Sequence, residues 1–387
     1  MALKNKFLII FVLLLNSCSN REDHSKFYHP AEFDPANSTC FVWSADYYEL
    51  IQKLIGKISE KDKVTIFTDK TEGDTIAMRR ILENHGCNFR NVRFVEMNTN
   101  LDNIWIRDYG PVYLVNRLGE KKLVQFNYFW TDPDFHEEFA SISGLPVIKS
   151  SFNSTGGARE VNGKGTMILC EAHELDVNNP KTKQDIEKEM IGKLRQKKII
   201  WLKKGIPQDD YILEGPIYDQ VYPKGVKGHV DEFCRFVDAT TILISSVTEM
   251  EANRHPVFEE AKKRLDENFK ILMNSTDQDG NKFNVIKVPM APVIIADRRA
   301  GPEGKLITLV TSYMNFIITN SFIVLPSYVS ENSNNKTLQN KEKEVENIFK
   351  EAFPSREIIK VLADTLNFYS GGFHCISINE PLVYSSK

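Results

Sequence analysis

The chain has 387 residues, enough to bury a sizeable core. Its 42% apolar and 11% aromatic content excludes a disordered chain. With 49 basic and 52 acidic residues the formal net charge is -3, so no strong field marks a nucleic-acid binder or a polybasic membrane-surface protein.

The first predicted element is a targeting segment. Lys4 and Lys6 form a basic start, and Phe7 to Leu15 (FLIIFVLLL) is apolar but shorter than the ~20 residues that cross a bilayer. It ends in Leu15-Asn16-Ser17-Cys18, which resembles a bacterial lipobox; a plain secretory signal ending near Ser17 is the alternative. Residues 1–17 then read as a lipoprotein signal peptide, Cys18 as the lipid-attachment site and 18–26 as a polar tether. The protein is expected to be lipid-anchored in a bacterial cell envelope, with residues 27–387 as one domain. If Cys18 carries lipid, five cysteines remain, and an odd number leaves at least one free thiol in an exported protein.

Strands and helices alternate from there. Strands are predicted at Val64–Thr68, Val92–Met97, Pro111–Val115 and Lys122–Phe129, with a helix over Thr75–His85 stopped by Gly86. The pattern recurs as strand Thr166–Cys170, helix Gln184–Lys197 and strand Lys198–Leu202. Strands Glu232–Val237 and Thr241–Val247, helix Val257–Met273 and strand Val285–Met290 follow. The last set is strands Ile307–Thr311 and Phe322–Leu325, a polar loop at Ser330–Asn340, helix Glu342–Phe353 and strand Ile358–Leu362. Each unit is roughly strand, strand, helix, strand, which argues for an α/β protein. An open sheet and a radial arrangement stay equally compatible with this order. No G-x-G-x-x-G or G-x-x-x-x-G-K-[ST] is present, which counts against nucleotide binding.

Three segments place polar groups inside apolar, strand-like sequence. NIWIRDYGP (Asn103–Pro111) sets Arg107 and Asp108 between Trp105 and a Gly110-Pro111 turn. GHVDEFCRFV (Gly228–Val237) puts His229 and Asp231 two apart, on one face of an extended chain. SGGFHCISINEP (Ser370–Pro381) has Gly371 and Gly372, which permit close backbone approach, just before His374 and Cys375. Singly each has a bland reading: a structural ion pair, a hydrogen-bonded or metal-ligating histidine, a buried cysteine. Together, one Cys, one His and two carboxylates are an inventory for thiol chemistry on a cation.

A guanidinium is planar, charged at physiological pH and rich in donors, and carboxylates grip it in bidentate fashion. Asp108 and Asp231 suit that grip. Cys375 would attack the central carbon as thiolate, and His229 would protonate departing ammonia and then activate water. This scheme needs no cofactor and no metal, and no C-x-x-C or close Cys/His set points to a zinc site.

The same segments resemble the signatures of the agmatine deiminase and bacterial peptidylarginine deiminase family. So do Gly156-Gly157 with Asn162 to Thr166, IIWLKKGIPQDD (Ile199–Asp210), SYMNF (Ser312–Phe316) and FPSREI (Phe353–Ile358). The resemblance runs from about His29 to Pro381. It implies a five-bladed α/β propeller, the pentein fold, as a single deiminase domain. It also implies hydrolysis of peptidyl-arginine to citrulline, or of agmatine to N-carbamoylputrescine. The positions matching catalytic or guanidinium-binding residues are Asp108, His229, Asp231 and Cys375. Trp105 and Asn315 match site-lining residues, and Arg107 and Gly372 are grouped with them as substrate-contacting positions. Thr155 stands where agmatine-type members usually carry Glu, and Ser377 to Glu380 replaces a commoner Thr-Gln-Gln-Glu. Both lie where the far end of the substrate is expected to be read.

Amidino transfer, which the same residues would serve, is one alternative, and a lipoprotein that only binds arginine-like ligands is another. Cys18→Ala is expected to release the chain from membranes or leave it unprocessed. Mass spectrometry of the N-terminus checks this, and a cleaved, soluble protein with an unmodified Cys18 would contradict the anchor.

Overall fold

The computed structural model describes residues 23–43, 48–70, 75–99, 101, 103–128, 135–296, 305–330 and 332–383. The signal segment, Cys18 and the first part of the tether lie outside these, as does Phe129.

After a loop, β1 (Ala36–Val42), α1 (Tyr48–Ser59), β2 (Val64–Asp69), α2 (Thr75–Asn84) and β3 (Val92–Met97) form a parallel run. All six residues of β2 are buried, as strands covered on both faces must be. A one-turn helix, α3 (Ile106–Tyr109), leads into the second unit: β4 (Val112–Val115), β5 (Lys121–Asn127), α4 (Phe135–Ser143) and β6 (Val147–Asn153). The third has β7 (Arg159–Val161), β8 (Thr166–Cys170), α5 (Glu171–Val177), α6 (Lys183–Leu194) and β9 (Lys198–Leu202). A two-residue β10 (Val221–Tyr222) precedes the fourth: β11 (Cys234–Phe236), β12 (Thr241–Ser246), α7 (Glu249–Ala252), α8 (Pro256–Asn274) and β13 (Asn284–Pro289). Short β14 (Ile295–Ala296) and β15 (Leu306–Thr308) join β10 in a small sheet. The fifth unit is β16 (Ile317–Ile318), β17 (Phe322–Ser327), α9 (Lys336–Ala352) and β18 (Glu357–Leu362). After α10 (Asp364–Phe368), the last strand β19 (Ile378–Pro381) pairs antiparallel with β1, so both ends of the described chain share one sheet.

Among the described residues, five units therefore repeat one plan. An antiparallel pair (β19/β1, β4/β5, β7/β8, β11/β12, β16/β17) is followed by a helix and a parallel third strand. The helices follow from the sequence. Thr182 and Asp185 close a capping box on α6, and α8 starts with Pro256 and buries Val257, Ala261, Leu265, Asn268 and Leu272, a stripe with helical spacing.

The core divides between units. One hydrophobic cluster joins units one and two (Phe67, Tyr113, Leu123) and another two and three (Leu114, Val124, Leu169). Others join three and four (Ile168, Leu202, Ile244), four and five (Leu243, Val288, Leu325), and five and one (Val324, Phe41, Ile66).

Three expectations change. The segment read as strand Glu232–Val237 is strand only over Cys234–Phe236; Val230–Glu232 is a 3-10 turn. His229 and Asp231 therefore do not share one face of an extended chain. Gly157 O takes the Asp231 N–H, and Asp209 Oδ2 takes those of Gly228 and His229, which curls the chain. The loop read at Ser330–Asn340 gives way to α9 at Lys336, because Asn335 Oδ1 caps it from Leu338 N. Asn103–Pro111 is not extended throughout but contains α3.

Phe349 of α9 is fully buried, its ring 4.8 Å from Phe316 at a near-perpendicular angle. Phe349→Ala is expected to cost ~3–5 kcal/mol in urea unfolding, while Phe349→Leu costs well under half of that.

Candidate active site

One position in the repeated plan carries the polar groups. Asp108 precedes β4, Thr155 to Gly157 precede β7, His229 and Asp231 precede β11, Asn315 precedes β16 and Cys375 precedes β19. Each is in the segment that enters the first strand of its unit.

Backbone contacts lock these segments together. Arg107 N donates to Cys375 O at 3.1 Å and Asp231 N to Gly157 O at 3.1 Å. The glycines matter because a Cβ has no room. One at Gly371 would come within 2.5 Å of the Trp105 ring, one at Gly372 within 2.4 Å of Asn315 Oδ1, and one at Gly157 within 2.6 Å of His229 Nδ1. Asn315 thereby reaches the thiol: its Nδ2 lies 3.2 Å from Cys375 Sγ and 2.9 Å from Glu232 Oε1, while Oδ1 accepts from His374 N at 2.8 Å. Asp231 Oδ2 and Glu232 Oε1 are each 3.9 Å from the sulfur.

Hydrogen bonding determines how His229 presents itself. His173 Nδ1 meets the Val226 carbonyl at 3.1 Å and must donate, so in the neutral ring His173 Nε2 accepts from Thr155 Oγ1, 3.2 Å away. The hydroxyl then accepts from His229 Nε2–H at 3.0 Å. This leaves His229 Nδ1 as a bare lone pair, buried without a hydrogen-bond partner and 3.9 Å from Asp108 Oδ1. Asp231 Oδ1 and Glu232 Oε2 are likewise buried and unpartnered.

Burial dominates the electrostatics. It pushes the Asp108 carboxyl up to about 6. It raises Asp231 and Glu232 well above the carboxylate range, with Asp108 adding to the rise at Asp231 and Asp231 to that at Glu232. His229 is brought down to about 3, by burial and then by Arg159. The Cys375 thiol is pushed up by burial first and then by Asp231, Glu232 and Asp108. The site is thus a floor in which Asp231 and Glu232 are held uncharged, Asp108 gives up its proton more readily, the imidazole is neutral and the thiol protonated, with three polar atoms awaiting donors or protons. A cation with several N–H groups answers that need.

A cavity of about 880 Å³ stands over this floor, lined by Trp105, Asp108, Tyr128, Thr155, His229 and Cys375 among others. It reaches solvent where Leu213, 92% exposed, forms part of its wall.

The structure brings together Asp108, His229, Asp231, Cys375, Asn315 and Trp105. It places Arg107 elsewhere. The Arg107 guanidinium binds Glu32 at 2.6 Å and the His374 carbonyl at 3.3 Å, beside a second cavity of about 90 Å³, so it is not positioned as a substrate contact. Gly372 is in the site through its backbone, which abuts Asn315 and hydrogen-bonds the Cys375 thiol. Of the two departures, Thr155 lines the large cavity and Glu380 does not. Thr155 is held between two histidines, and Glu380 pairs with Lys121 at 2.7 Å and Arg93 at 3.1 Å. Sequence reasoning missed Glu232, Glu32 and His173. Glu232 is adjacent to Asp231, but an extended chain would turn it away; the 3-10 turn brings it in. Glu32 carries no local signal beyond one acid in HPAEF.

The chain is similar over nearly its whole length to known deiminases. The family model for Porphyromonas-type peptidyl-arginine deiminases matches residues 28–381. An agmatine deiminase of Pseudomonas syringae pv. tomato is 26% identical over 396 residues, spanning 93% of this chain and 97% of its own. An agmatine deiminase of Medicago truncatula is 26% identical over 402 residues, spanning 92% and 97%. The structure of the agmatine deiminase of Enterococcus faecalis superposes with a TM-score of 0.71 at 22% identity, covering 92% of this chain and 96% of that one, and so shares the fold.

A thiol with a raised pKa stays protonated to higher pH, so Cys375 should react slowly when the cavity is empty. At pH 7 iodoacetamide is expected to modify it at least ~10-fold more slowly than a free thiol, at a rate still climbing beyond pH 9. Peptide mapping by mass spectrometry reads this, and a rate that levels off below pH 8 would contradict the assignment.

Proposed function

The chain belongs to the Porphyromonas-type peptidyl-arginine deiminase family, and from that premise we propose that it hydrolyses the C–N bond of a guanidinium group, releasing ammonia and leaving a ureido product. The observation that carries this reading is that Cys375 lines the large cavity with Asp108 and His229 and has oxygens of Asp231 and Glu232 3.9 Å from its sulfur, while His229 Nδ1, Asp231 Oδ1 and Glu232 Oε2 are buried without partners.

The guanidinium would lie on the cavity floor with its N–H groups on Asp108 and Asp231. Its charge favours the carboxylate forms and, through them and directly, the Cys375 thiolate, which burial disfavours while the site is empty. The thiol proton passes to the His229 Nδ1 lone pair. The sulfur bonds to the central carbon, and the C=N electron pair moves onto nitrogen. One amino nitrogen then takes the proton from His229 and leaves as ammonia, giving an S-alkylthiouronium. Water adds next, losing one proton to His229 Nδ1. The C–S bond breaks with its electron pair on sulfur, and the remaining hydroxyl proton restores the thiol. The proton on His229 leaves to the released ammonia as ammonium, so that a guanidinium cation and water give a neutral urea and ammonium. Asn315 Nδ2, 3.2 Å from Sγ, supports the thiolate in both steps. Trp105 lines the passage of the substrate chain.

The relatives named as agmatine deiminases make agmatine a candidate substrate, and the family description makes arginine in peptides another. A lipid anchor at Cys18, which we propose on the signal segment, would place the enzyme in the cell envelope and favour the peptide. The same relatives favour water over an amine as acceptor, and the presence of all four reacting groups disfavours a binding-only role. The pentein propeller is the arrangement we infer for the five units. It is supported by hydrophobic clusters linking each unit to the next and the fifth to the first, and by active-site groups at one position of each unit.

Residues 26–387, incubated with agmatine and with an arginine peptide, are expected to release ammonia and a ureido product from at least one. Cys375→Ser should lose at least ~10³-fold in turnover with folding intact. Asp108→Asn and Asp231→Asn should lose mainly kcat/KM. Ammonia from neither compound, a new guanidine in place of the ureido product, or Cys375→Ser activity within ten-fold of wild type would each overturn the proposal.

A further inference from the structure

His374 is buried beside Cys375 and has no part in the scheme above. Both its ring nitrogens face carboxylate oxygens: Nδ1 is 2.6 Å from Asp231 Oδ2 and Nε2 is 2.5 Å from Glu32 Oε2. Glu32, which precedes β1, is gripped in turn by Arg107 at 2.6 Å and by Arg235 at 2.5 Å. Arg235 is fully buried and pairs as well with Glu160 at 2.5 Å. These are the charged groups around the imidazole: Asp231 on one side, and Glu32 with Arg107, Arg235 and Glu160 on the other.

At such distances each nitrogen–oxygen contact must hold a hydrogen, so the three groups share two protons across two bridges. That composition has two forms of equal net charge. In one, Asp231 is a neutral acid donating to Nδ1, and His374 is a neutral imidazole donating from Nε2 to Glu32. In the other, the Asp231 O–H bond has broken, an Nδ1–H bond has formed, and Asp231 is a carboxylate beside an imidazolium. One proton moving along one hydrogen bond converts them.

Resting on the deiminase reading, we propose that His374 is the positioning residue that takes the Asp231 proton when a guanidinium enters, with Glu32 holding the imidazolium that forms. Its hydrogen bond to Oδ2 also leaves Asp231 Oδ1 as the oxygen without a partner. Without such a store, Asp231 would have to lose its proton from a position with no exposure, under a cavity the substrate is filling. In the empty site burial, Arg107 and Arg235 keep His374 neutral, and burial keeps Asp231 protonated. A cation on Oδ1 reverses that preference. The arrangement also gives the arginine of NIWIRDYGP a role: Arg107 fixes Glu32, and so acts on the site through the relay.

The test uses Cys375→Ser protein, which holds ligand without turnover, carrying ¹⁵N-labelled histidine. Nα-acetyl-arginine amide and agmatine are the probes. On saturation one histidine ring is expected to shift to imidazolium ¹⁵N frequencies, and that shift should be absent in Cys375→Ser/His374→Gln. Calorimetry in two buffers of different ionisation enthalpy should show about one more proton released per ligand in the double variant, since Asp231 must then discharge to solvent. Glu32→Gln, which contacts neither residue 375 nor Asp231, should in the Cys375→Ser protein also raise proton release and weaken binding when measured well below its melting temperature, which loss of a carboxylate from Arg107 and Arg235 is expected to lower. Ligand binding with unchanged histidine signals, or equal proton release with and without His374, would overturn the relay and leave deimination standing. Binding of neither probe would overturn the deiminase reading together with the relay.

Discussion

Several ionisable groups surround one sulfur in a dry floor, and each raises the cost of charging the others. Asp108, Asp231 and Glu232 all oppose ionisation of Cys375, while burial opposes ionisation of every one of them. A permanently charged site of this composition would be strained by like-charge repulsion, and a permanently neutral one would have no nucleophile. A cationic ligand resolves the conflict, because it stabilises carboxylates and thiolate together. Reactivity is thereby tied to occupancy, and the buried thiol is shielded from incidental oxidation.

Much of the surrounding structure serves to hold that floor. The glycines at 157, 371 and 372 remove side chains where His229, Trp105 and Asn315 must touch backbone. Asp209, also buried, orients the turn that carries His229 and Asp231 by accepting from three backbone N–H groups, those of Val226, Gly228 and His229. Thr155 converts a hydrogen bond to the Val226 carbonyl into a choice of tautomer on His229 two links away. Arg235 carries its charge without solvent because Glu32, Glu160 and the carbonyls of Met314 and Phe316 satisfy it, and its plane lies 4.4 Å over the Phe316 ring. Losing one partner from such a set would leave an uncompensated buried charge.

Repetition explains how distant segments converge. Each unit delivers one polar segment at the entry to its first strand, so polar residues from five parts of the chain meet although the units share no visible sequence identity. The helices and third strands are left to packing, and their buried faces are almost wholly apolar. Strand edges and helix lengths can therefore vary from unit to unit without disturbing the chemistry.

The sequence by itself determined the order of strands and helices, and it marked Asp108, His229, Asp231 and Cys375. Both signals are local: side-chain periodicity reports which face is buried, and polar residues inside apolar runs report groups kept against the cost of burial. Tertiary structure decided which polar group meets which. His374 and Glu32 are 342 residues apart, and Arg235 and Glu32 are 203 apart, so neither pairing leaves a trace in local spacing. Arg107 was grouped with the substrate contacts; a carboxylate from the N-terminal loop claims it instead. Glu232 looked outward on an extended chain, and a turn imposed by Gly157 and Asp209 brings it to the sulfur. Charge pairing acts through space over a few ångströms, so only the folded chain specifies the partners.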